Sequence, residues 1–247
     1  MTLPLYLLDP QALAGRGVGD VVVLDGREGR HAATVRRTRV GAHLLLTDGV
    51  GLRVQGEVVA VGSGTLDLRV LSVSHDPEPT PRFVLVQALA KNDRDDQAIE
   101  AATECGVDEV VPWQASRSVV QWRGERGAKA RRKWDAVLVA ATKQSRRTRR
   151  PILAATAGTT DVAARVRDAA SAFVLHEDAT VPLAGVTLPA AGDVLVVVGP
   201  EGGITPDELA VLQDAGAVVV RLGSTVLRSS SAGPAALAVL SARLRWR

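Results

Sequence analysis

Scarce residue types narrow the class of protein that this 247-residue sequence can encode. Its single cysteine, Cys105, cannot form an internal disulfide, so we expect a reducing, cytoplasmic compartment and a buried apolar role for the thiol. No run of about 18 apolar residues occurs, and the opening MTLPLYLLDP lacks the basic start and cleavage site of a signal peptide, so no membrane segment is expected. None of the four histidines has metal-ligand spacing, so no metal is expected.

The net charge of +3 conceals an uneven distribution of charged residues. Residues 117–150 hold 12 Lys/Arg and 2 Asp/Glu, whereas the rest of the chain carries 18 basic and 25 acidic residues. A basic segment on an otherwise acidic protein indicates a polyanionic partner. A solvated helix face explains the charge alone equally well.

The pattern of apolar residues, which make up 46% of the chain, predicts two domains. Up to residue 74, short β-branched or alternating runs separated by glycine and aspartate turns predict a small β-barrel with one inserted helix at 29–40. The predicted strands are 21–25, 43–47, 53–61 and 65–73. Three prolines within 75–82 interrupt both helix and strand, so we expect a linker there.

From residue 83 the pattern changes to strands alternating with helices, which predicts an α/β domain over 83–247. The predicted strands are 83–89, 108–111 with Pro112 ending it, 172–176, 194–198 and 218–222. The predicted helices are 95–105, 125–146, 205–216 with a capping box at Thr205–Glu208, and 235–243. We expect Gly233-Pro234 to delay the start of the last helix.

Two glycine-containing loops follow strands of the predicted sheet, VVVGPEGG (196–203) and RLGSTVLRSSS (221–231). Glycine permits close backbone approach, and α/β sheets bind ligands beyond the carboxyl ends of their strands. The first loop lacks the Lys-Ser/Thr pair of a phosphate loop, and Glu201 would repel a phosphate. Taken alone, a tight turn and serine capping of the last helix explain the two loops at least as well as a ligand site.

Polar residues near other strand ends are further candidates. The cluster QSRRTRRP (144–151) suits bidentate phosphate contact, although arginines at a helix C-terminus also complement the helix dipole. Lys91 and Arg94 lie just past the first strand of the α/β domain, and His176 ends another strand. The residues by themselves indicate an α/β enzyme with a basic surface.

Seven segments, in order along the chain, match one family of proteins. They are HAATVRRTRVG (31–41), QALAKNDR (87–94), ATECGVDEVVPWQASRSV (102–119), KQSRRTR (143–149), VLHE (174–177), VVVGPEGGITPDEL (196–209) and RLGSTVLR (221–228). Each is weak alone, but together they cover essentially the whole chain. The sequence thus resembles the 16S ribosomal RNA (uracil-N3)-methyltransferases, the RsmE group of the SPOUT class.

The resemblance implies a fold and an activity. It implies a PUA-like β-barrel at 1–74 that helps to dock RNA, a linker at 75–82, and a SPOUT α/β domain at 83–247 with a C-terminal trefoil knot. It implies that S-adenosyl-L-methionine binds in the loops of the knot and methylates N3 of a specific uridine in the 16S rRNA of the small ribosomal subunit. It also implies a homodimer that places RNA near residues of both subunits.

Matched position by position, the resemblance assigns roles to particular residues. Cofactor contacts are expected from Leu175, His176, Glu177, Val198, Gly199, Pro200, Glu201, Gly202, Gly203, Leu222, Gly223, Ser224, Val226, Leu227 and Arg228. RNA contacts are expected from Lys91, Arg94, Glu104, Gln144, Arg146, Arg147, Arg36 and Arg37. Arg228 is the expected catalytic residue, because a cation stabilises the anion that forms when uracil N3 loses its proton.

The chain departs from the family's pattern at a few positions. Ser224 stands where many relatives have proline, and Ser230 stands where glutamate is common, which excludes a general-base glutamate at position 230. Ala90 replaces a common proline. The two serines keep a second hypothesis open, a non-catalytic RNA-binding or ribosome-assembly protein on the same fold. A third is a SPOUT methyltransferase that acts on another RNA.

Overall fold

The structure, a computed structural model, describes residues 2–91 and 93–246. The chain divides into two compact units. The first contains the chain up to Glu78 together with Thr142–Arg150, and the second contains Pro79–Ala141 and the chain from Pro151 onward. The domain limits expected from the sequence stay predictions, and the basic segment Thr142–Arg150 groups with the N-terminal unit.

The first unit is built on a five-stranded sheet. Its strands are β1 (Leu5–Leu7), β2 (Val21–Leu24), β3 (His43–Thr47), β4 (Leu52–Val61) and β5 (Leu66–His75), in the order β1-β3-β4-β5-β2. β1 runs parallel to β3 and the other pairs are antiparallel. Alternate residues such as Val54 and Val58 of β4 and Leu66 and Leu68 of β5 are fully buried, because successive strand side chains point to opposite faces.

The inserted helix of this unit is shorter than the predicted span of 29–40. A four-residue helix α1 (Pro10–Leu13) precedes it, and α2 (Gly26–Arg30) continues into a π-helical turn, His31–Val35. The prediction is wrong beyond Val35, because the chain turns back there. Thr38 donates its backbone N–H and its hydroxyl to the carbonyl of Ala32, and Arg37 takes a positive φ of 50°.

Residues Thr142–Arg150, the last part of the basic segment 117–150, are held in this unit by hydrogen bonds around Asp76. The hydroxyl of Thr148 donates to the Asp76 carboxylate at 2.5 Å, and Arg53 pairs with the same oxygen at 3.1 Å. Arg149 donates to the carbonyls of Asp76 and Pro77. The Thr148 hydrogen bond and Arg53 lower the pKa of Asp76, although its burial opposes this. Part of the segment's positive charge is therefore used in internal contacts.

The second unit is built on a seven-stranded sheet in which every pair is parallel. The strands are β6 (Arg82–Ala88), β7 (Glu109–Trp113), β8 (Ile152–Leu153), β9 (Ser171–Leu175), β10 (Val181–Pro182), β11 (Asp193–Val198) and β12 (Val218–Arg221). Their order is β10-β12-β9-β11-β6-β7-β8. The helices are α3 (Arg94–Glu104), α4 (Gly124–Gln144, whose last residues group with the first unit), α5 (Thr159–Asp168), α6 (Pro206–Asp214) and α7 (Ser229–Leu244).

Both faces of this sheet are covered by helices, which explains why its strands are continuous apolar runs. On β6, Phe83 and Leu85 belong to a core with residues of α3, α4 and α7, including Trp134 and Leu237. The alternate residues of β6 belong to a second core with residues of α5 and α6, including Leu212. Among the helices that the structure describes, none is long and apolar enough to cross a membrane.

Two predicted boundaries in the second unit are wrong at prolines. Pro112 lies inside β7 and does not end it, because its carbonyl still accepts from the backbone N–H of Ala157. The last helix begins at Ser229 and contains Pro234 in its second turn. Gly233 packs so closely on β6 that an added Cβ would lie 2.9 Å from Leu85 Cδ1, so burial offsets the one backbone hydrogen bond that Pro234 removes.

Charged groups tie together the amino-terminal ends of the parallel strands. Arg82, at the start of β6, pairs with Glu109 at the start of β7 and Asp193 at the start of β11. Near the end of the chain, Arg245 donates to the carboxylate of Asp108 at 2.5 Å, and its Cζ lies 3.8 Å from the ring centroid of Phe83. It also donates to the carbonyls of Pro81 and Gly106.

We expect Arg245→Ala to lower the stability of the second unit by roughly 3 kcal/mol, because it leaves the buried Asp108 carboxylate without this partner. At about 2–4 °C per kcal/mol for a chain of this size, the melting temperature should fall by about 6–12 °C. Thermal unfolding followed by circular dichroism measures the shift. Trp246→Ala, at the exposed neighbouring position, is the control and should shift the midpoint little. An equal midpoint for both variants would contradict the role assigned to Arg245.

Candidate functional site

A cleft of about 370 Å³ lies at the carboxyl ends of three adjacent strands, β12, β9 and β11. The loop after each strand forms one wall, because the ends of parallel strands meet at one edge of the sheet. The lining residues are Arg94, Leu175, His176, Glu177, Val198, Gly199, Pro200, Glu201, Gly203, Ile204, Val220, Arg221, Leu222, Gly223, Thr225, Val226, Leu227, Arg228, Ser229 and Ala232.

The loop after β11 needs glycine at two positions for steric reasons. An added Cβ on Gly199 would lie 2.6 Å from Cγ1 of Ile204, which is closer than real Cβ contacts. Gly203 has a φ of +75°, a conformation that favours glycine, and its N–H donates to the carbonyl of Pro200. Both glycines also line the cleft, so no side chain at these two positions covers the backbone there.

A network centred on Glu208 holds the same loop in place. Glu208 is 4% exposed, and its carboxylate accepts the backbone N–H of Ser116 at 2.8 Å, the hydroxyl of Thr159 at 2.9 Å and the backbone N–H of Thr205 at 3.2 Å. Burial alone would raise the pKa of Glu208, but these hydrogen bonds outweigh it and lower the pKa. Beside this network, Arg117 donates to the carbonyl of Gly202 at 2.9 Å.

His176 enters the cleft from the end of β9 with a defined hydrogen-bonding state. Its backbone N–H donates to the carbonyl of Val220 at 3.0 Å, which links two walls of the cleft. Its Nδ1 accepts the backbone N–H of Asp178 at 3.2 Å. A neutral imidazole that accepts at Nδ1 carries its proton on Nε2, so His176 is a donor on that side.

The charges on the cleft walls are mixed. Arg94 pairs with Glu201 at 3.4 Å, and Arg221 and Arg228 add two further cations. Arg228 immediately precedes α7, whose amino-terminal end carries partial positive charge. The hydroxyl of Ser229, the first residue of α7, is buried and has no hydrogen-bond partner among the described residues. The wall at the start of α7 therefore places the Ser229 hydroxyl beside the guanidinium-bearing Arg228.

The structure brings most of the predicted cofactor residues together. All of them line the cleft except Gly202 and Ser224. Sequence reasoning missed Ile204, Val220, Arg221, Thr225, Ser229 and Ala232 as lining residues, and placed Arg94 among the RNA contacts only. Arg221, Thr225 and Ser229 lie within the second predicted loop, so their position after a strand was the available signal. The roles of all these residues stay predictions.

The other residues predicted to contact RNA lie outside the cleft. In the second unit, Lys91 is exposed in the turn after β6 and Glu104 is exposed at the end of α3. Those grouped with the first unit are Gln144, Arg146 and Arg147 in the basic segment and Arg36 and Arg37 after the π-helical turn.

Backbone strain accompanies these predicted RNA contacts. The non-glycine residues with positive φ in the described part of the chain are Arg37, Asp93 and Arg146. Each lies within or beside one of the predicted RNA-contact segments. Such conformations cost of order 1–3 kcal/mol and cluster at functional sites.

Known proteins match both units of the chain. A family model described as an RNA methyltransferase domain matches residues 76–241. The chain belongs to the RNA methyltransferase family. A second model, described as an RNA methyltransferase PUA domain, matches residues 24–71 of this family member. These matches confirm the predicted PUA domain followed by an α/β methyltransferase domain; the trefoil knot stays a prediction.

Relatives of this RNA methyltransferase family member include a curated protein and solved structures. It is 48% identical over 166 residues to the ribosomal RNA small subunit methyltransferase E of Mycobacterium tuberculosis, over 66% of this chain and 63% of that protein. The chain thus spans just under two thirds of the curated relative's length. A probable rRNA-methyltransferase from Porphyromonas gingivalis has 26% identity, a TM-score of 0.80 and 98% coverage of both chains. Ribosomal RNA small subunit methyltransferase E from Neisseria gonorrhoeae, bound to S-adenosyl methionine, has 24% identity, a TM-score of 0.84 and the same coverage.

A metal was not expected from the sequence. Across residues 2–91 and 93–246, no group of three or more His, Cys, Asp or Glu side chains is arranged to hold a metal ion.

We expect Glu208→Gln to destabilise this RNA methyltransferase family member by about 1–3 kcal/mol at pH 7, because buried N–H groups lose their charged acceptor. A lowered pKa means that the carboxylate stabilises the fold above its ordinary pKa of 4.5, and that this is lost as the pH falls through the lower folded value. The stability difference between wild type and variant should therefore shrink below about pH 4.5. Urea unfolding at a series of pH values measures it.

The control for this experiment is Glu100→Gln, at an exposed position of α3. Its stability should follow that of the wild type at every pH. A Glu208→Gln deficit that stays constant between pH 7 and pH 3 would show that the ionised carboxylate is not the stabilising group.

Proposed function

We propose that this chain binds S-adenosyl-L-methionine in the cleft and methylates N3 of a uridine in the 16S rRNA of the small ribosomal subunit. The observation that carries the proposal is the convergence of three strand-end loops, after β9, β11 and β12, on one cleft. Membership of the RNA methyltransferase family supports the reaction class. A neighbour of the same fold that is bound to S-adenosyl methionine supports the cofactor.

The residues that line the cleft fit such a cofactor. Its volume of about 370 Å³ falls within the roughly 300–1,000 Å³ of small-molecule sites. Leu175, Leu222 and Leu227 would supply apolar surface for an adenine ring, and the backbone groups of Gly199 and Gly203, which line the cleft, would be accessible for hydrogen bonds to its edges. The carboxylate of Glu177 suits hydroxyl or ammonium groups. When bound, the cofactor supplies a methyl group on a sulfonium.

The chain's own residues must handle the charge that develops on uracil. N3 carries a proton that has to pass to an acceptor, and we assign solvent water to that role. The resulting negative charge spreads over the two ring oxygens. Arg228 lies in the cleft, directly before the positive amino-terminal end of α7. The Arg228 side chain and this helix end both stabilise the anion. Ser230, the second residue of α7, supplies no carboxylate to accept the proton, so the step depends on stabilisation of the anion by Arg228 and α7.

The remaining parts of the proposal concern binding and assembly. RNA contacts come from Lys91, Arg94, Glu104, Gln144, Arg146, Arg147, Arg36 and Arg37, and the strained backbone beside three of these segments supports that assignment. Gly202 and Ser224 complete the set of cofactor residues. We also propose a homodimer, a trefoil knot in the second unit, domain limits at 1–74 and 83–247, and action in the cytoplasm.

A second candidate function is a non-catalytic RNA-binding or ribosome-assembly protein. The observation that favours it is the uncharged Ser230 at the start of α7, where relatives commonly have glutamate. A third candidate, methylation of another RNA, rests on the same fold, since function resides in the site.

One experiment separates the three functions. The protein is incubated with labelled S-adenosyl-L-methionine and small ribosomal subunits from a strain that lacks its own uracil-N3 enzyme, and the modified nucleotide is mapped. We expect label on N3 of one 16S uridine. Cofactor binding without transfer would support the non-catalytic protein, and label on a different base would support another RNA target.

We expect Arg228→Ala to reduce the methyl-transfer rate about 100- to 1,000-fold, the loss typical of removing one group that stabilises an anion. The affinity for S-adenosyl-L-methionine should change much less, because the charge is needed only as N3 loses its proton. Single-turnover rates and calorimetric cofactor binding measure the two effects.

Arg221→Ala is the matched control for Arg228→Ala, because Arg221 lines the same cleft and the variant loses the same charge. Its transfer rate should fall less than that of Arg228→Ala. Equal losses in both variants, or an unchanged rate in Arg228→Ala, would remove the catalytic role of Arg228.

A further inference from the structure

Helix α4 uses only half of its basic side chains in internal contacts. Arg131 donates to the carbonyls of Leu153, at 2.7 Å, and Ala154. Lys133 pairs with Asp93 and Asp96 at 2.5 Å each, which raises the pKa of Lys133 through hydrogen bonds to both carboxylates. Lys143 pairs with Glu28 within the first unit. These contacts account for three of the six basic residues of α4.

The other three basic residues form a regular exposed row. Arg126, Lys129 and Arg132 are spaced three residues apart, and Arg123, directly before the helix, continues the spacing. All four are exposed, and none of their side chains has an ion-pair or hydrogen-bond partner within residues 2–91 and 93–246. At about 1.5 Å per residue, its helical part from Arg126 to Arg132 is roughly 9 Å long. We call these four residues the α4 basic row.

The α4 basic row is not explained by helix stability. Like charges at this spacing cost an isolated helix about 0.2–0.5 kcal/mol per pair. Glu125 is four residues before Lys129, the favourable arrangement for an ion pair, yet the two make none in the described structure. The next position at the same spacing is the half-buried Asp135, and beyond it Ala136 and Ala140 present only small side chains. The row therefore accumulates repulsion that a polyanion would relieve.

Contacts within the second unit connect α4 to the edge of the cleft. Lys133, next to the row, binds Asp93 in the turn after β6 and Asp96 in the first turn of α3. Arg94, between these two aspartates, pairs with Glu201 on the cleft wall. The helix that carries the row and the turn that carries Arg94 are thus held to each other.

We propose that the α4 basic row binds the phosphate backbone of the RNA substrate, as a docking surface outside the cleft that leads the strand toward the turn at Arg94. The occupant is RNA, because the side chains of the row are cations without a partner in the described part of the chain, and phosphate oxygens are the groups on nucleic acids that such side chains contact most often. The proposal rests on the proposed function for the identity of the RNA. The α4 basic row contributes to the affinity for RNA, and this contribution does not depend on the base sequence.

The test is the salt dependence of binding to a 16S rRNA fragment that contains the target region. The triple variant Arg126→Gln, Lys129→Gln and Arg132→Gln should lower the slope of log affinity against log salt by about 2, at about 0.7 per phosphate contact on a single strand. At 0.1 M salt, a slope lower by about 2 corresponds to about 100-fold weaker binding of the triple variant than of the wild type. Each single variant should lower the slope by about 0.7, which keeps the test valid if the triple variant folds poorly.

The matched control for the single row variants removes one exposed charge elsewhere in the second unit, with Arg167→Gln. Its slope should equal that of the wild type. An equal fall in slope for Arg167→Gln and for the single row variants, or no fall in the row variants, overturns the docking surface. If the row variant loses binding to assembled small ribosomal subunits but binds naked RNA as the wild type does, the docking surface for RNA is also overturned. The row would then bind an acidic protein partner.

The docking surface and the proposed function fail in different measurements. With RNA at saturating concentration, the row variant should retain the wild-type single-turnover rate and cofactor affinity, because the row lies outside the cleft. If the wild type transfers no methyl group but its RNA binding still depends on the row, the docking surface stands and the proposed function fails. If methyl transfer is normal and the row variant keeps the wild-type slope, the proposed function stands and the docking surface fails.

Discussion

The parallel pairing of β11 with β6 on one side and β9 on the other is the constraint on which the second unit depends. These central strands are buried on both faces, so each must be apolar throughout and each must be reached by a crossover that covers one face. The loops that follow these parallel strands then lie together at one edge of the sheet. The cleft exists because three of those loops follow neighbouring strands, and its glycines are required by the close approach of Ile204 and by the positive φ of Gly203.

Features that depend on local pattern were predictable from the sequence, and features that depend on distant partners were not. The α/β class, the two strand-end loops and the capping box at Thr205 follow from residues within a few positions of one another. The bond from Ser116 to Glu208 joins residues 92 positions apart, so no local signal indicates it. The start of α7 was misjudged because a local proline rule was outweighed by the packing of Gly233 on Leu85, a contact with another element.

The basic residues between positions 117 and 150 look like one group in the sequence, but their contacts in the structure divide them into three. Residues around Thr148 and Arg149 are hydrogen-bonded within the first unit. Arg131 and Lys133 fasten α4 to neighbouring parts of the second unit. The α4 basic row stays in solvent. Charge counting cannot separate these groups, because an internal ion pair and a free cation contribute equally to net charge while differing in what they can bind.

The hydrogen bonds from Arg245 to Pro81 and Asp108 affect the order in which parts of the chain fold. Its hydrogen bonds to these residues span 164 and 137 positions, and β6 pairs with β11 more than a hundred residues away. Contacts of such separation are made late, because a large loop must close before they contribute. During synthesis, β6 leaves the ribosome long before its partner β11 and the residues around Arg245 are made. Until β11 and α7 are made, the apolar side chains of β6 therefore lack part of the packing that buries them in the folded unit.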